Sequence, residues 1–167
     1  MLHFSKRETM SKQGQNKGID LEWKVLKFEE FTLDELYDLM QLRSQIFVVE
    51  QDCVYLDQDG KDKKAMHVLG FKGSKICAYA RLFDKGDYFD ACSIGRVIVA
   101  EDERQFAYGH TLMRESLKAI KEHYGEDTIK ISAQKYLKKF YESHGFIQKG
   151  EEYLEDGIPH IGMLREY

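Results

Sequence analysis

The sequence has one proline, Pro159, and three cysteines, Cys53, Cys77 and Cys92. An odd, widely spaced set of thiols offers no C-x-x-C pair for zinc or dithiol chemistry, and a disulfide framework would leave one thiol over. A reducing cytoplasm is the compartment that usage predicts. No apolar run approaches the ~20 residues that cross a bilayer, so no membrane partner is expected. Residues 1–19 lack the apolar core and small-residue cleavage site of a secretory signal, and read as a flexible leader in which Met10 offers an alternative start. Basic charge is also short, with 25 Lys and Arg against 29 Asp and Glu, a net charge of −4 and a pI near 5.9. A nucleic-acid binder needs a basic face to displace counterions from phosphates, so nucleic acid is not an expected partner.

Metal patterns are missing too. None of the six histidines stands in H-x-x-H or H-E-x-x-H spacing, and no metal is assigned. The run Asp57-x-Asp59-Gly60-x-Asp62 invites a calcium reading, but Asp62 stands at the turn-glycine position and Val68 at that of the bidentate glutamate. It reads instead as an acidic surface loop able to attract a cationic amine.

What is present suits one ordinary domain over residues 20–167. The chain is 43% hydrophobic, no repeat is visible, and no Pro- or Ser-rich linker follows Gly18. Leu21–Phe28 alternates as a strand does. Thr32-Leu33-Asp34-Glu35 is a capping box opening a helix with apolar residues at 36, 39, 40, 46 and 47. Strands are predicted at Ala65–Lys72 and Lys75–Asp84, joined by a Gly73-Ser74 hairpin, and at Cys92–Ala100, whose Val97-Ile98-Val99 suits a central strand. A helix beginning near Gly109 stops near Gly125, followed by a strand at Thr128–Ala133 and a short helix at Lys135–His144. Two last strands, Phe146–Glu155 and Pro159–Glu166, turn back at Asp156-Gly157. Hairpins flanking a strand–helix–strand unit make a mixed α/β or α+β domain.

Two stretches carry chemistry. In Arg104-Gln105-Phe106-Ala107-Tyr108-Gly109, small residues at the mouth of a helix allow backbone N–H groups and the positive helix end to meet a pyrophosphate. No G-K-[ST] follows, so it is not a P-loop. In Phe140-Tyr141-Glu142-Ser143-His144-Gly145-Phe146, a tyrosine hydroxyl is suited to protonating a leaving thiolate. Alone, the first is more simply read as an ordinary strand-to-helix turn and the second as a tyrosine at the edge of the core.

In this order and at this separation, the two resemble the GNAT superfamily of acyl-CoA-dependent N-acetyltransferases. Arg104-x-x-Ala107-x-Gly109 matches its Q/R-x-x-G-x-G/A loop, and Phe140-Tyr141 with Gly145-Phe146 matches its F-Y-x-x-x-G-F segment. Within the superfamily, Phe47-Val48-Val49-Glu50-Gln51, His67, Ile94-Gly95-Arg96-Val97 and Tyr153 to His160 look like the ElaA-type branch, a likeness running from about Leu21 to Tyr167. The resemblance implies a mostly antiparallel mixed sheet of six to seven strands flanked by helices, with a central strand–loop–helix site for CoA. It places acetyl-CoA against Val97, Ile98 and Val99 of the strand and against Arg104, Gln105, Phe106, Ala107, Tyr108, Gly109 and His110 of the loop, and makes Tyr141 the general acid. Two positions depart from the pattern. Ala107 replaces a glycine, where a left-handed backbone would cost ~1–2 kcal/mol. Gln134 replaces an asparagine that touches the pantetheine.

The implied reaction is acetyl transfer to a primary amine, small-molecule or protein, by direct attack; a homodimer is a common family assembly. A non-catalytic acyl-CoA-binding module of the same fold is the alternative. The strand Cys92–Ala100 holds no carboxylate, so the base that frees the amine is sought among Glu50, His67, Glu155, His160 and ordered water. Arg96, inside an apolar strand, is a candidate for a substrate carboxylate or for a structural ion pair.

Overall fold

The computed structural model describes residues 20–126 and 128–166, and the leader expected at 1–19 lies outside them. Seven strands form one sheet: β1 Glu22–Lys27, β2 Met66–Lys72, β3 Lys75–Phe83, β4 Cys92–Val99, β5 Ile129–Gln134, β6 Ile147–Glu155 and β7 Ile158–Arg165, in spatial order β1-β2-β3-β4-β5-β7-β6. All neighbours run antiparallel except β4 and β5, which enclose a crossover helix and are therefore parallel. No helix of the described residues is long and apolar enough to cross a membrane.

Helix α1, Leu33–Ser44, starts where the capping box put it: the Glu35 amide donates to the Thr32 hydroxyl at 3.1 Å and the Thr32 amide to the Glu35 carboxylate at 3.0 Å. It then widens into a π-helical stretch, Gln45–Glu50. The 3.6-residue pattern cannot show that step, because Ile46 and Phe47 stay buried through it. Helix α2, Tyr108–Tyr124, ends on a left-handed Gly125. The short helix expected from Lys135 is a 3-10 turn, Lys135–Leu137, leading into α3, Lys138–Glu142.

Each face of the sheet has its own core. Leu39 of α1 and Ile46 and Phe47 of the π-helical stretch pack on Leu69, Phe71, Tyr79 and Ile98. On the other face Leu112, Met113 and Ile120 of α2 meet Val97, Val99, Ile131, Ala133, Tyr141 and Met163. Strand alternation makes this division: Ile98 faces α1 while Val97 and Val99 face α2.

The segment read as an acidic surface loop keeps Gln58, Gly60 and Lys61 exposed but turns two of its carboxylates inward. Asp57 is 2% exposed and Asp62 is also buried, because Arg43, Arg81 and the partly buried Arg96 meet them. Arg43 of α1 holds Asp57 at 2.8 Å and Asp62 at 2.6 Å. Arg81 of β3 holds Asp59 at 2.8 Å and Asp62 at 3.0 Å. Arginines that follow a hydrophobic pattern into a core demand anions, and this loop supplies them.

Candidate active site

Strands β4 and β5 pair only at Cys92↔Ile129 and Ser93↔Lys130, and then diverge. Beyond Ser93 the facing edges of β4 and of Ile131–Gln134 lack each other as ladder partners, which leaves a cleft in the middle of the sheet. A bulge on β4 accompanies the divergence. Tyr79 pairs with Ile98 and Arg81 with Gly95, so Arg96 and Val97 together face the single residue Ala80. Arg96 sits in the left-handed region at φ 51°. Its guanidinium donates to the Asp57 carboxylate at 2.7 Å and to the Asp57 carbonyl at 3.1 Å, the structural ion pair rather than a free substrate anchor. The side chains of Val97, Ile98 and Val99 are all buried in the two cores, so the backbone is what this strand offers a ligand.

The loop after β4 is a 3-10 turn, Glu101–Phe106, closed by Ala107 at φ 58° and ψ 24°. The left-handed residue therefore stands where the sequence has alanine in place of glycine. It tips the chain into α2, whose first turn presents N–H groups that have no intrahelical acceptor. The amide of His110 donates to the Ala107 carbonyl at 3.1 Å and is engaged in closing this turn. Its ring lies outside, with Nδ1 2.9 Å from Nε2 of His144. Burial and the neighbouring His110 push the His144 imidazole down to about 4.

Arg104 does not reach outward. Its guanidinium is buried against Glu50 and against the Val99 carbonyl, to which Nε donates at 3.1 Å. Glu50 is thereby committed to an ion pair. His67 is likewise taken up by the core: Nε2 donates to the Asp62 carbonyl at 2.9 Å, and Nδ1 accepts from the Tyr79 hydroxyl at 2.8 Å. Burial holds this imidazole neutral, lowered to about 4. Both nitrogens being engaged, it has none left for an acceptor amine. The remaining candidates gather on the C-terminal side of the cleft. Gln134 at the end of β5 is buried and pairs in register with His160 of β7, which in turn pairs with Tyr153 of β6. Glu155 accepts from the Ser132 hydroxyl at 2.7 Å, and Ser132 lies 2.5 Å from the Tyr153 hydroxyl. Sequence reasoning missed Ser132; its polar place between Ile131 and Ala133 on a half-buried strand was the available signal. Tyr141 of α3 is buried in the core under α2, on the opposite face of the sheet from Gln134 and His160.

Residues 36–167 match the acetyltransferase (GNAT) domain family. The chain belongs to the GNAT family. It is 44% identical to the protein ElaA of Escherichia coli K12 over 148 residues, which cover 87% of this chain and 97% of that one. The crystal structure of E. coli ElaA superposes with a TM-score of 0.82 at 43% identity, covering 87% and 99% of the two chains. An acyl-CoA N-acyltransferase from Pseudomonas aeruginosa is as similar in structure, with TM-score 0.82, 39% identity and the same coverage. An aminoglycoside 6'-N-acetyltransferase complexed with coenzyme A shares the fold at TM-score 0.65 and 13% identity, over 85% of this chain and 96% of that one.

Proposed function

We propose that the protein moves an acetyl group from acetyl-CoA to a primary amine by direct attack on the thioester. The observation that carries this reading is the cleft between β4 and β5, which opens beside the left-handed Ala107 turn and the first turn of α2. A pyrophosphate laid on that turn gains backbone N–H donors and the positive helix end, and a pantetheine arm continues along the unpaired edge of Val97–Val99. Backbone N–H groups there stabilise the tetrahedral oxyanion. Tyr141 gives its hydroxyl proton to the departing sulfur, for which a phenol is well matched in acidity. Gln134 takes the place of the asparagine that touches the pantetheine in other members. The acceptor is a small-molecule or protein amine entering from the face under α1. The free thiols Cys53, Cys77 and Cys92 fit a reducing cytoplasm.

Calorimetric titration with acetyl-CoA and CoA, followed by thiol-release assays over a panel of amines, tests the reading. Micromolar binding with turnover supports it, and absence of binding to either nucleotide ends it. A second reading, an acyl-CoA-binding module, is favoured by the loss of Glu50 and His67 to structural contacts. Tight binding with no turnover on any amine would select it.

A further inference from the structure

Among the described residues, four buried side-chain nitrogen or oxygen atoms have no hydrogen-bond partner, and one is Nε2 of His160. Buried polar atoms are nearly always satisfied, so an orphan in a native core calls for an explanation. Its tautomer is set by the other nitrogen. Nδ1 lies 2.7 Å from the Ile158 carbonyl, which can only accept, so Nδ1 carries a hydrogen and, in the neutral ring, Nε2 is the nitrogen with the lone pair. His160 is 0% exposed, and the Tyr153 ring stacks beside it at 6.1 Å.

The strand register places His160 on β7, one strand beyond β5, whose other edge lines the cleft. Ile161 and Met163 of β7 point into the core under α2, so His160 faces the other side together with its cross-strand partner Gln134. Gln134 ends β5, four residues past the last β5 residue that pairs with β4. Ser132, Tyr153 and Glu155 complete this face as a hydrogen-bonded set. Tyr141 stands in the core on the opposite side of the sheet. A thioester in the cleft would therefore have a proton donor on one face and a proton acceptor on the other.

We propose that His160 Nε2 is the general base that takes the proton from the acceptor ammonium, directly or through one bound water. This rests on the acetyltransferase reading above. The ammonium gives one proton to Nε2, and its freed lone pair forms the N–C bond. The C–S bond then breaks and the sulfur takes a proton from Tyr141; the amide nitrogen's second proton restores the Tyr141 phenol through solvent, and the proton held on Nε2 is the one released. Overall an ammonium and a thioester give an amide, a thiol and one proton released to solvent.

The test compares wild type with His160→Gln on two acceptors at neutral pH. One is the best alkyl primary amine from the screen, which is protonated in solution as lysine is. The other is its aminooxy analogue on the same skeleton, which is mostly neutral and needs no base. His160→Gln is expected to lower kcat/KM for the alkyl amine ~10²-fold or more. The aminooxy analogue should change by less than about threefold, with acetyl-CoA affinity and Tm preserved. Equal losses on both acceptors overturn the proposal, because a purely structural role cannot sense the protonation of the acceptor. In wild type, histidine ¹⁵N NMR of the CoA complex should show the Nε2 resonance of His160 moving on addition of the primary amine and not of its trimethylammonium counterpart. A resonance indifferent to both overturns the proposal even if the variant fails to fold. A wild type that binds acetyl-CoA and acylates no amine removes the transferase reading itself.

Discussion

The Glu50 carboxylate clasps the Arg104 guanidinium at both ends, with Nη1–Oε1 at 2.7 Å and Nη2–Oε2 at 2.9 Å. Fifty-four residues apart in sequence, the pair ties the π-helical end of α1 to the loop that enters α2. Removing the charge leaves a buried guanidinium without its anion. Glu50→Gln is therefore expected to lower stability by ~1–3 kcal/mol in denaturant titrations and to weaken acetyl-CoA binding by loosening the loop. Turnover abolished at unchanged stability would mean instead that Glu50 is the base.

Ala107 adopts φ 58°, a conformation in which a Cβ costs ~1–2 kcal/mol. Glycine removes that cost but has a freer unfolded chain, worth ~0.5–1 kcal/mol. Ala107→Gly should stabilise the protein by up to about 1 kcal/mol, and Ala107→Val should destabilise it. A glycine variant that melts clearly earlier than wild type contradicts the strain read here.

Tyr141→Phe keeps the ring that packs against Phe140 and Phe146 and removes only the hydroxyl. Turnover should fall by ~10²-fold if the hydroxyl protonates the thiolate, while acetyl-CoA affinity changes little. A parallel drop in affinity and turnover would move Tyr141 from chemistry to architecture.

Asp57 serves two cations, Arg43 at 2.8 Å and Arg96 at 2.7 Å. Asp57→Asn should cost ~3–5 kcal/mol, the penalty of breaking a buried pair. It also frees the left-handed Arg96, so the β4 bulge should relax. Amide exchange at Arg96 and Val97 faster than the global loss of stability predicts is the sign to look for. A variant as stable as wild type would show that the pair contributes nothing net.

Acid should unfold the protein in two stages. His67 is held neutral by burial, lowered to about 4, so protons bind the unfolded chain first as pH falls below ~6.5. That withdraws roughly 3 kcal/mol by about pH 4. Burial alone would raise the Asp59 and Asp62 carboxyls, but Arg81 and Arg43 outweigh it and hold both low. Their contribution is complete above the unfolded carboxylate range and is lost below about pH 4. Chemical denaturation at about pH 7, 5 and 3.5 checks both stages, and stability constant from about pH 7 to 5 would refute the first.

The elements and the loop motif are legible along the chain because both are written in near neighbours. Thr32 and Glu35 are three residues apart, strand alternation sorts Val97 and Ile98 onto opposite faces, and Arg104 to Gly109 is one continuous loop. Which polar residues are committed to structural partners depends on contacts between distant elements. Arg104 meets Glu50 over 54 residues, Arg96 meets Asp57 over 39, and His67 meets Tyr79 across two strands. No local pattern encodes such partners, since any exposed-looking carboxylate or imidazole reads the same until the fold brings an arginine or a carbonyl to it. The acidic run at 57–62 shows the same limit: its charge is visible in sequence, and the guanidinia that draw Asp57 and Asp62 inward lie on other elements. His160 shows the converse, a histidine distinguished only by the partner that the folded protein withholds from Nε2.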